Sequence, residues 1–220
     1  NFLINENVFE NDSLLIDYIY ESLSMQYNTS ERFINKIYDD IKLVFDLIIM
    51  IKQNDESCFF LKLGEIYKKA LGVKQDYNRS LKYCKMSADL NNSNAMVCVA
   101  NFYYNGQGVK QDFNEAKKYY EKAAQLNNSF AFDCLGNLYF YGKIESPNYI
   151  KAKEYYEKGA ELNNLESLYK LGFYYLIGTT VKKDYSKAIE YFKKAANQNH
   201  PRANYILGKL YYNGEGVKQD

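Results

Sequence analysis

Histidine is almost missing from this sequence, since its 220 residues contain a single one, His200. A zinc site built from histidines needs more than one, and a catalytic triad needs a histidine beside a nucleophile. No motif places a serine or cysteine nucleophile with His200, so we interpret it as a turn residue at a helix start. The sequence predicts no catalytic residue, no metal site and no cofactor.

An excess of charge is missing as well. The 28 lysine and arginine residues nearly balance the 27 aspartate and glutamate residues, which leaves a formal net charge of +1. Nucleic-acid-binding domains need clustered basic residues, and so do proteins held electrostatically on membranes. No stretch approaches the ~18 apolar residues that span a bilayer. We therefore expect no nucleic-acid partner and no membrane insertion.

Cysteine is scarce, and the spacing of its four residues fits neither a CxxC metal motif nor a disulfide framework. Cys98 and Cys134 lie 36 residues apart, which suggests packing between adjacent helices. Cys58 and Cys84 are interpreted in the same way, as reduced and buried thiols. Reduced thiols favour a reducing compartment, and we expect a cytoplasmic location. The chain lacks an initiator Met and stops within a repeat, so we expect it to be part of a longer protein with targeting signals left open.

Internal repetition is what the sequence has in abundance. The second residue of a Leu-Gly pair recurs every 36 residues, at Gly64, Ala100, Gly136, Gly172 and Gly208. A fixed period of this size is typical of a solenoid, in which each repeat packs on its neighbours. The predicted array spans 57–220, and its units are 57–92, 93–128, 129–164, 165–200 and the partial unit 201–220.

Each unit is predicted to form helix A, a loop, helix B and a short turn. The glycine of the Leu-Gly pair removes a side chain where helix B approaches closely. Glycines at helix A ends favour a positive φ, and Ala70 in the first unit predicts a different loop there. The loop glycines are Gly106, Gly142, Gly178 and Gly214, and the predicted N-caps of helix B are Asp76, Asp112, Asn148 and Asp184. The tyrosines at Tyr119, Tyr155 and Tyr191 are expected to fill the gaps between units.

Residues 1–56 do not repeat. They predict one helix from Ser13 to Tyr27 and a longer helix from Ser30 to about Lys52. The longer helix carries a wide apolar stripe at helical spacing, which should be buried. We expect these helices to cap the array by packing on the first helix A. The alternative is that they end a separate upstream helical domain.

The unit 93–128 resembles the Sel1-like repeat, a relative of the tetratricopeptide repeat. The matching residues are Ala95, Tyr103, Gly106, Gly108, Val109, Asp112, Ala116, Tyr119, Lys122, Ala123 and Ala124. The resemblance covers about 57–220, with departures at Val99-Ala100, Ile144-Glu145 and helix B of the first unit. It implies an all-α, right-handed α-solenoid of antiparallel helix pairs that acts as an adaptor for protein complexes. The ligand does not carry over between family members.

The outer face of helix A distinguishes the units from one another. At about 100° per residue, Ala95, Met96, Val99 and Tyr103 form the core face of the second unit. The opposite face should be polar, but it is largely apolar and aromatic in the third and fourth units. In tetratricopeptide-like arrays this face lines a concave groove. The predicted partner-binding residues are Val97, Asn101, Tyr104, Phe130, Asp133, Asn137, Phe140, Tyr141, Glu166, Tyr169, Phe173, Leu176, Tyr205, Lys209 and Tyr212.

Exposed apolar patches often mark interaction sites, so we predict a non-enzymatic scaffold that binds a peptide or partner helix in this groove. Burial by neighbouring repeats, or a composition rich in Tyr, Asn and Lys, would also explain the stripe. A rival function is a substrate-recruiting or regulatory module of a larger enzyme whose catalytic domain lies outside this sequence. An intrinsic hydrolase lacks a visible nucleophile with a base. Self-association through the open end of the array is a further expectation.

Overall fold

The computed structural model describes residues 46–51, 53 and 55–216, and the regular elements in these residues are all α-helices. This confirms the predicted all-α repeat fold. Residues 46–51 are helical. The helices that follow are α1 (Glu56–Lys69), α2 (Tyr77–Asp89), α3 (Ser93–Asn105), α4 (Phe113–Gln125), α5 (Ser129–Phe140), α6 (Tyr149–Glu161), α7 (Leu165–Ile177), α8 (Tyr185–Ala196) and α9 (Pro201–Asn213).

Apart from its 36-residue repeats, the chain divides into two compact units. The first unit extends up to Gln111, and the second unit begins at Asp112. In the first unit, Leu47 is fully buried in a cluster with Phe59 and Leu63 of α1 and with Tyr83 of α2. The described part of the predicted N-terminal helix thus packs on the first repeat. The rest of that helix and the predicted helix from Ser13 to Tyr27 lie outside the described residues.

In the second unit, one cluster joins Tyr139 of α5 and Tyr156 of α6 to Leu171 of α7. Another joins Leu168 of α7 and Phe192 of α8 to Leu207 of α9. Each cluster therefore combines the two helices of one repeat with helix A of the next, which is how a repeat array buries its apolar surface.

The helix ends are encoded by short polar residues, as predicted for helix B. Its N-caps are Asp76, Asp112, Asn148 and Asp184, whose side chains accept hydrogen bonds from backbone N–H groups of the first turn. Helix A is capped in the same way by Asn92, Asn128, Asn164 and His200. Before each of these caps an asparagine takes a left-handed conformation, namely Asn91, Asn127, Asn163 and Asn199. Asparagine tolerates this conformation better than most side chains, which explains why it recurs in the turns.

The loop after α1 does not differ in the way that its sequence predicts. Ala70 has φ +55°, close to the +68° of Gly106 at the end of α3 and the +66° of Gly214 at the end of α9. The Ala70 N–H bonds the Ile66 carbonyl, so the helix ends in the same left-handed cap. Packing of the repeat imposes this backbone shape even where the residue carries a Cβ.

The glycines of three Leu-Gly pairs, Gly64, Gly136 and Gly172, lie under a side chain of helix B, as predicted. A Cβ at Gly172 would lie 2.5 Å from the Phe192 ring, and one at Gly64 would lie 2.6 Å from the Cys84 Sγ. Gly136 has the same relation to the Tyr156 ring. Helix B thus rests on the bare backbone of helix A.

Two of the tyrosines expected to fill gaps between repeats, Tyr155 and Tyr191, stack on a tyrosine of their own repeat. Tyr155 lies parallel to Tyr139 of its own helix A, with ring centroids 5.5 Å apart. Tyr191 stacks on Tyr175 in the same way, at 5.6 Å. The fully buried ring belongs to the next residue along helix B, which is the residue that covers the glycine. A helical wheel misses this one-residue difference because both positions border the core face.

In the first repeat, serines replace the small alanines of helix B. The Ser80 hydroxyl donates to the Gly64 carbonyl at 2.6 Å, and the Ser87 hydroxyl donates to the Ser57 carbonyl at 2.7 Å. Both acceptors lie on or at the start of helix A, so the hydroxyls are satisfied although both serines are fully buried.

Replacing Gly172 by alanine tests the close approach of the helices. The new Cβ would overlap the fully buried Phe192 ring, so we expect a loss of about 1–3 kcal/mol in the free energy of unfolding. Gly208→Ala is the matched control, because no described atom lies within 4 Å of its Cβ position. It should stabilise the protein by up to about 1 kcal/mol through helix propensity. Urea unfolding measures both, and equal effects of the two substitutions would refute the packing account.

The left-handed cap at Ala70 gives a second test. Ala70→Gly removes the cost of a Cβ at positive φ but adds freedom to the unfolded chain, so we expect a net gain of about 0.5 kcal/mol. The reverse change at Gly106 should cost about 1 kcal/mol, since its Cβ would also lie 3.2 Å from the Gln111 Cβ. Thermal unfolding compares the two, and destabilisation by Ala70→Gly would show that the loop relaxes in solution.

Candidate functional site

The predicted binding residues differ widely in exposure. Those on α5, α7 and α9 belong to the second unit, and Val97, Asn101 and Tyr104 are half-buried residues of α3 in the first unit. Within the second unit the exposed members are Phe130, Tyr141, Glu166, Tyr205, Lys209 and Tyr212, and the half-buried members are Asn137, Phe140, Tyr169, Phe173 and Leu176. Asp133 is buried, with 8% of its surface exposed.

Three of these residues come together around an apolar cavity of about 190 Å³ between α5 and α7. Phe140 and Phe173 are its half-buried walls. Tyr141 and Ile177, which occupy the same position in successive repeats, form its rim with 60% and 65% of their surfaces exposed. The cavity is lined by Phe140, Tyr141, Tyr156, Lys170, Phe173, Tyr174, Ile177 and Thr179.

The floor of the cavity is formed by Tyr156 and Tyr174, whose hydroxyls have partners within the protein. The Tyr156 hydroxyl donates to Asn137 Oδ1 at 2.9 Å, and the Tyr174 hydroxyl donates to the Tyr149 carbonyl at 3.1 Å. Burial raises the pKa of Tyr156 and of Tyr174 far above the usual range. Both phenols therefore stay protonated and serve as structural donors rather than acid–base groups.

A largely buried ion pair explains why the Asp133 side chain points inward. Lys170 Nζ lies 2.5 Å from Asp133 Oδ1, and the Asn137 side-chain amide donates to Asp133 Oδ2 at 3.1 Å. The Lys170 ammonium also lies 5.1 Å from the centroid of the Tyr156 ring. The charge of Lys170 is thus compensated beneath the cavity, which offers mainly apolar surface to a ligand.

Tyr169 and Glu166 lie beside the turn that contains His200. The Ala203 N–H donates to His200 Nδ1 at 3.1 Å, so the other ring nitrogen carries the proton and donates to Glu166 Oε1 at 3.2 Å. The Tyr169 ring packs on the imidazole at 4.8 Å between centroids. His200 therefore caps α9, in agreement with its interpretation as a turn residue.

A larger and more open cavity of about 550 Å³, which the sequence did not predict, lies on the helix B side of the second unit. Its lining includes Glu121, Phe132, Tyr155, Lys158 and Glu161. Similar residues recur 36 positions later for four of these five, as Glu157, Leu168, Tyr191 and Lys194. The repetition marks this cavity as a feature of repeat stacking, whereas the cavity between α5 and α7 depends on residues that differ between repeats.

Two other features are absent from the described residues. No helix there is long and apolar enough to cross a membrane. The same residues contain no group of three or more histidine, cysteine, aspartate or glutamate side chains placed to hold a metal ion.

Helix pairs that recur every 36 residues, joined by left-handed turns, define a helical repeat protein. The family model described as Sel1 repeat matches residues 61–92, 93–128, 135–164, 165–200 and 201–220. These segments make up more than half of the chain, which therefore belongs to the Sel1 repeat family. Such repeats are typically non-catalytic scaffolds for protein interactions.

Solved structures of this fold are similar along nearly the whole chain. A Sel1 repeat protein from Oxalobacter formigenes is 27% identical with a TM-score of 0.72, over 97% of this chain and 78% of that protein. The protective antigen c5321 of uropathogenic Escherichia coli is 24% identical with a TM-score of 0.71, over 98% of this chain and 45% of the antigen. The chain thus spans less than half of the antigen's length. A comparison with curated protein sequences found no significant match.

The buried ion pair under the cavity can be tested by removing its cation. Lys170→Met leaves the Asp133 carboxylate buried without its charge partner, and we expect a loss of about 2–4 kcal/mol in the free energy of unfolding. Lys194→Met is the control, because Lys194 pairs with Glu190 on an exposed helix face and its loss should cost under about 0.5 kcal/mol. Chemical denaturation of both variants gives the comparison. A Lys170→Met protein as stable as the control would mean that Asp133 is hydrated in solution.

Proposed function

We propose that this protein is a non-enzymatic interaction scaffold that holds one bulky apolar side chain of a partner peptide or helix in the cavity between α5 and α7. The observation that carries the proposal is the set of residues specific to these repeats. Positions 141 and 177 hold Tyr and Ile, whereas the same position in the other repeats holds Lys69, Asn105 and Asn213. Packing of the repeats does not require these exposed apolar residues, so a ligand is the physical reason to keep them.

The shape and chemistry of the cavity favour an apolar anchor. Its walls are aromatic, its floor hydroxyls are satisfied internally, and its one cation is paired with Asp133. A charged ligand group would lose its hydration without gaining a free partner there, whereas an apolar group gains about 25 cal/mol for each Å² that it buries. Aromatic anchors are also typical of interface hot spots.

Four other predicted residues, all on α5 and α7, would extend or support this anchor site. Phe130 and Glu166 lie at the starts of α5 and α7, where their exposure leaves them open to a longer ligand. Asp133 and Asn137 would act indirectly, by holding Lys170 and Tyr156 in place. The same cavity would serve if the chain is the recruiting module of a larger enzyme.

A peptide library displayed on phage and selected against the intact chain tests the proposal. We expect the enriched peptides to share one bulky apolar residue. Combining Tyr141→Asn with Ile177→Asn should weaken their binding at least about tenfold, because it removes the apolar rim of the cavity. Asparagine already occupies this position in α3 and α9, so the double variant should keep its helicity and stability.

Leu126→Asn is the control, since Leu126 is an exposed apolar residue at the end of α4 and does not line the cavity. Sedimentation of the free chain shows whether a second copy competes for the same surface. Peptides that bind the double variant and the wild type equally would refute the proposed anchor site.

A further inference from the structure

Two cysteines of the first unit lie against each other across a repeat interface. Cys84 is on α2, which is helix B of the first repeat, and Cys98 is on α3, which is helix A of the next. Each thiol is close enough to shift the pKa of the other, and neither is in a disulfide. This arrangement does not depend on the proposed binding function, because it belongs to other helices.

The repeat geometry confirms independently that these two positions face each other. In the second unit the equivalent positions are 36 and 72 residues later. Tyr120 is close enough to Cys134 to lower its pKa, and the Lys170 ammonium lies 5.1 Å from the centroid of the Tyr156 ring. The same pair of positions is therefore in contact at three interfaces, and at one of them both residues are cysteine.

The environments of the two thiols differ. Cys84 is 1% exposed, and its Sγ occupies the space left by the missing side chain of Gly64. Cys98 is half-buried, and the charged groups that face it are Lys68, Lys69 and Glu65 of α1. The neighbouring Cys84 thiol and the positive charge of Lys68 lower the pKa of Cys98, against the opposing effects of burial and Glu65. Cys98 is thus the thiol that ionises first.

We propose that Cys84 and Cys98 form a redox-modification site, which a small-molecule disulfide of the glutathione type converts reversibly into a disulfide that joins α2 to α3. Cys98 is the attacking thiol because it is the more exposed of the two and has the cationic surroundings that favour thiolate chemistry. Cys84 is the resolving thiol because it is the neighbouring thiol of Cys98 across the contact between α2 and α3.

The reaction has two exchange steps. The Cys98 thiolate attacks one sulfur of oxidised glutathione, which forms a mixed disulfide and releases one glutathione thiolate. Cys84 then loses its proton to solvent and attacks the Cys98 sulfur, which releases the second glutathione. The protein loses two electrons and two protons overall, and one glutathione disulfide becomes two glutathione thiols. Excess reduced glutathione reverses both steps.

The other cysteines should not react in this way. Cys134 occupies the position of Cys98 one repeat later, but it faces Tyr120, and burial together with Asp133 raises its pKa to about 11. Cys58 bonds Asp55, whose carboxylate raises the pKa of the thiol. Neither residue has a second thiol to complete a disulfide among the described residues. Cys134 and Cys58 therefore serve as internal controls for the reactivity of Cys98.

The test is to equilibrate the folded chain with mixtures of oxidised and reduced glutathione and to map its disulfides by mass spectrometry of unreduced peptides. We expect a Cys84–Cys98 link with the loss of two hydrogens, reversed by reduced glutathione. Closing this short loop should also raise the Tm by about 5 °C. If Cys84 and Cys98 stay reduced, or carry only mixed disulfides, the proposal is wrong.

Three serine variants separate the roles of the thiols. Cys84→Ser should accumulate a glutathione mixed disulfide on Cys98, because the resolving thiol is gone. Cys98→Ser should leave Cys84 unmodified, and Cys134→Ser should form the Cys84–Cys98 link as the wild type does. Alkylation of Cys98 should be at least about tenfold faster than that of Cys134 at neutral pH. Equal reactivity of these two cysteines in the folded protein would overturn the assignment of Cys98 as the attacking thiol.

Discussion

The contact between a bare glycine on helix A and a side chain of helix B is the constraint on which the rest of each repeat depends. Where Phe192 covers Gly172, or Tyr156 covers Gly136, the two helices approach closely enough to exclude water. This close approach lets Tyr155 stack on Tyr139, and Tyr191 on Tyr175. It also fixes the positions of the helix ends, which are joined by turns with a left-handed asparagine. The 36-residue period preserves this contact, because the first, third and fourth copies place the glycine and its covering side chain at the same spacing, and Ala100 replaces the glycine in the second copy.

A core that repeats in every copy cannot by itself distinguish one ligand from another. The residues that differ between copies therefore carry the specificity that we propose. Tyr156 links the two roles, since its ring covers Gly136 and also forms the floor of the cavity between α5 and α7. The Asp133–Lys170 pair lies beneath that cavity and removes a free charge from it. The first repeat interface differs in another way, because the position that holds Tyr120 and Tyr156 elsewhere holds Cys84, which meets Cys98.

Most of the fold follows from the sequence because its signals are local and repeated. The glycine spacing, the aspartate and asparagine caps and the glycine turns each depend on a few neighbouring residues, and the structure has them where they are predicted. The burial of Asp133 could not be predicted in this way, because a helical wheel shows one helix and its ion partner Lys170 comes from the next repeat. The proximity of Cys84 and Cys98 could not be predicted either, because the two residues lie on different helices and their spacing of 14 residues fits no known cysteine motif. The left-handed Ala70 shows the reverse case, in which tertiary packing overrides a local preference.

We propose that a partner binds at apolar residues specific to the third and fourth repeats. NMR chemical shifts of the labelled chain, titrated with a peptide selected for binding, locate the bound peptide. We expect shifts to change along the cavity between α5 and α7, at Phe140, Phe173 and Ile177, with little change around Glu121 and Glu161. Changes concentrated around Glu121 and Glu161 with an unperturbed Ile177 would contradict it, and would place the ligand on the face formed by helix B.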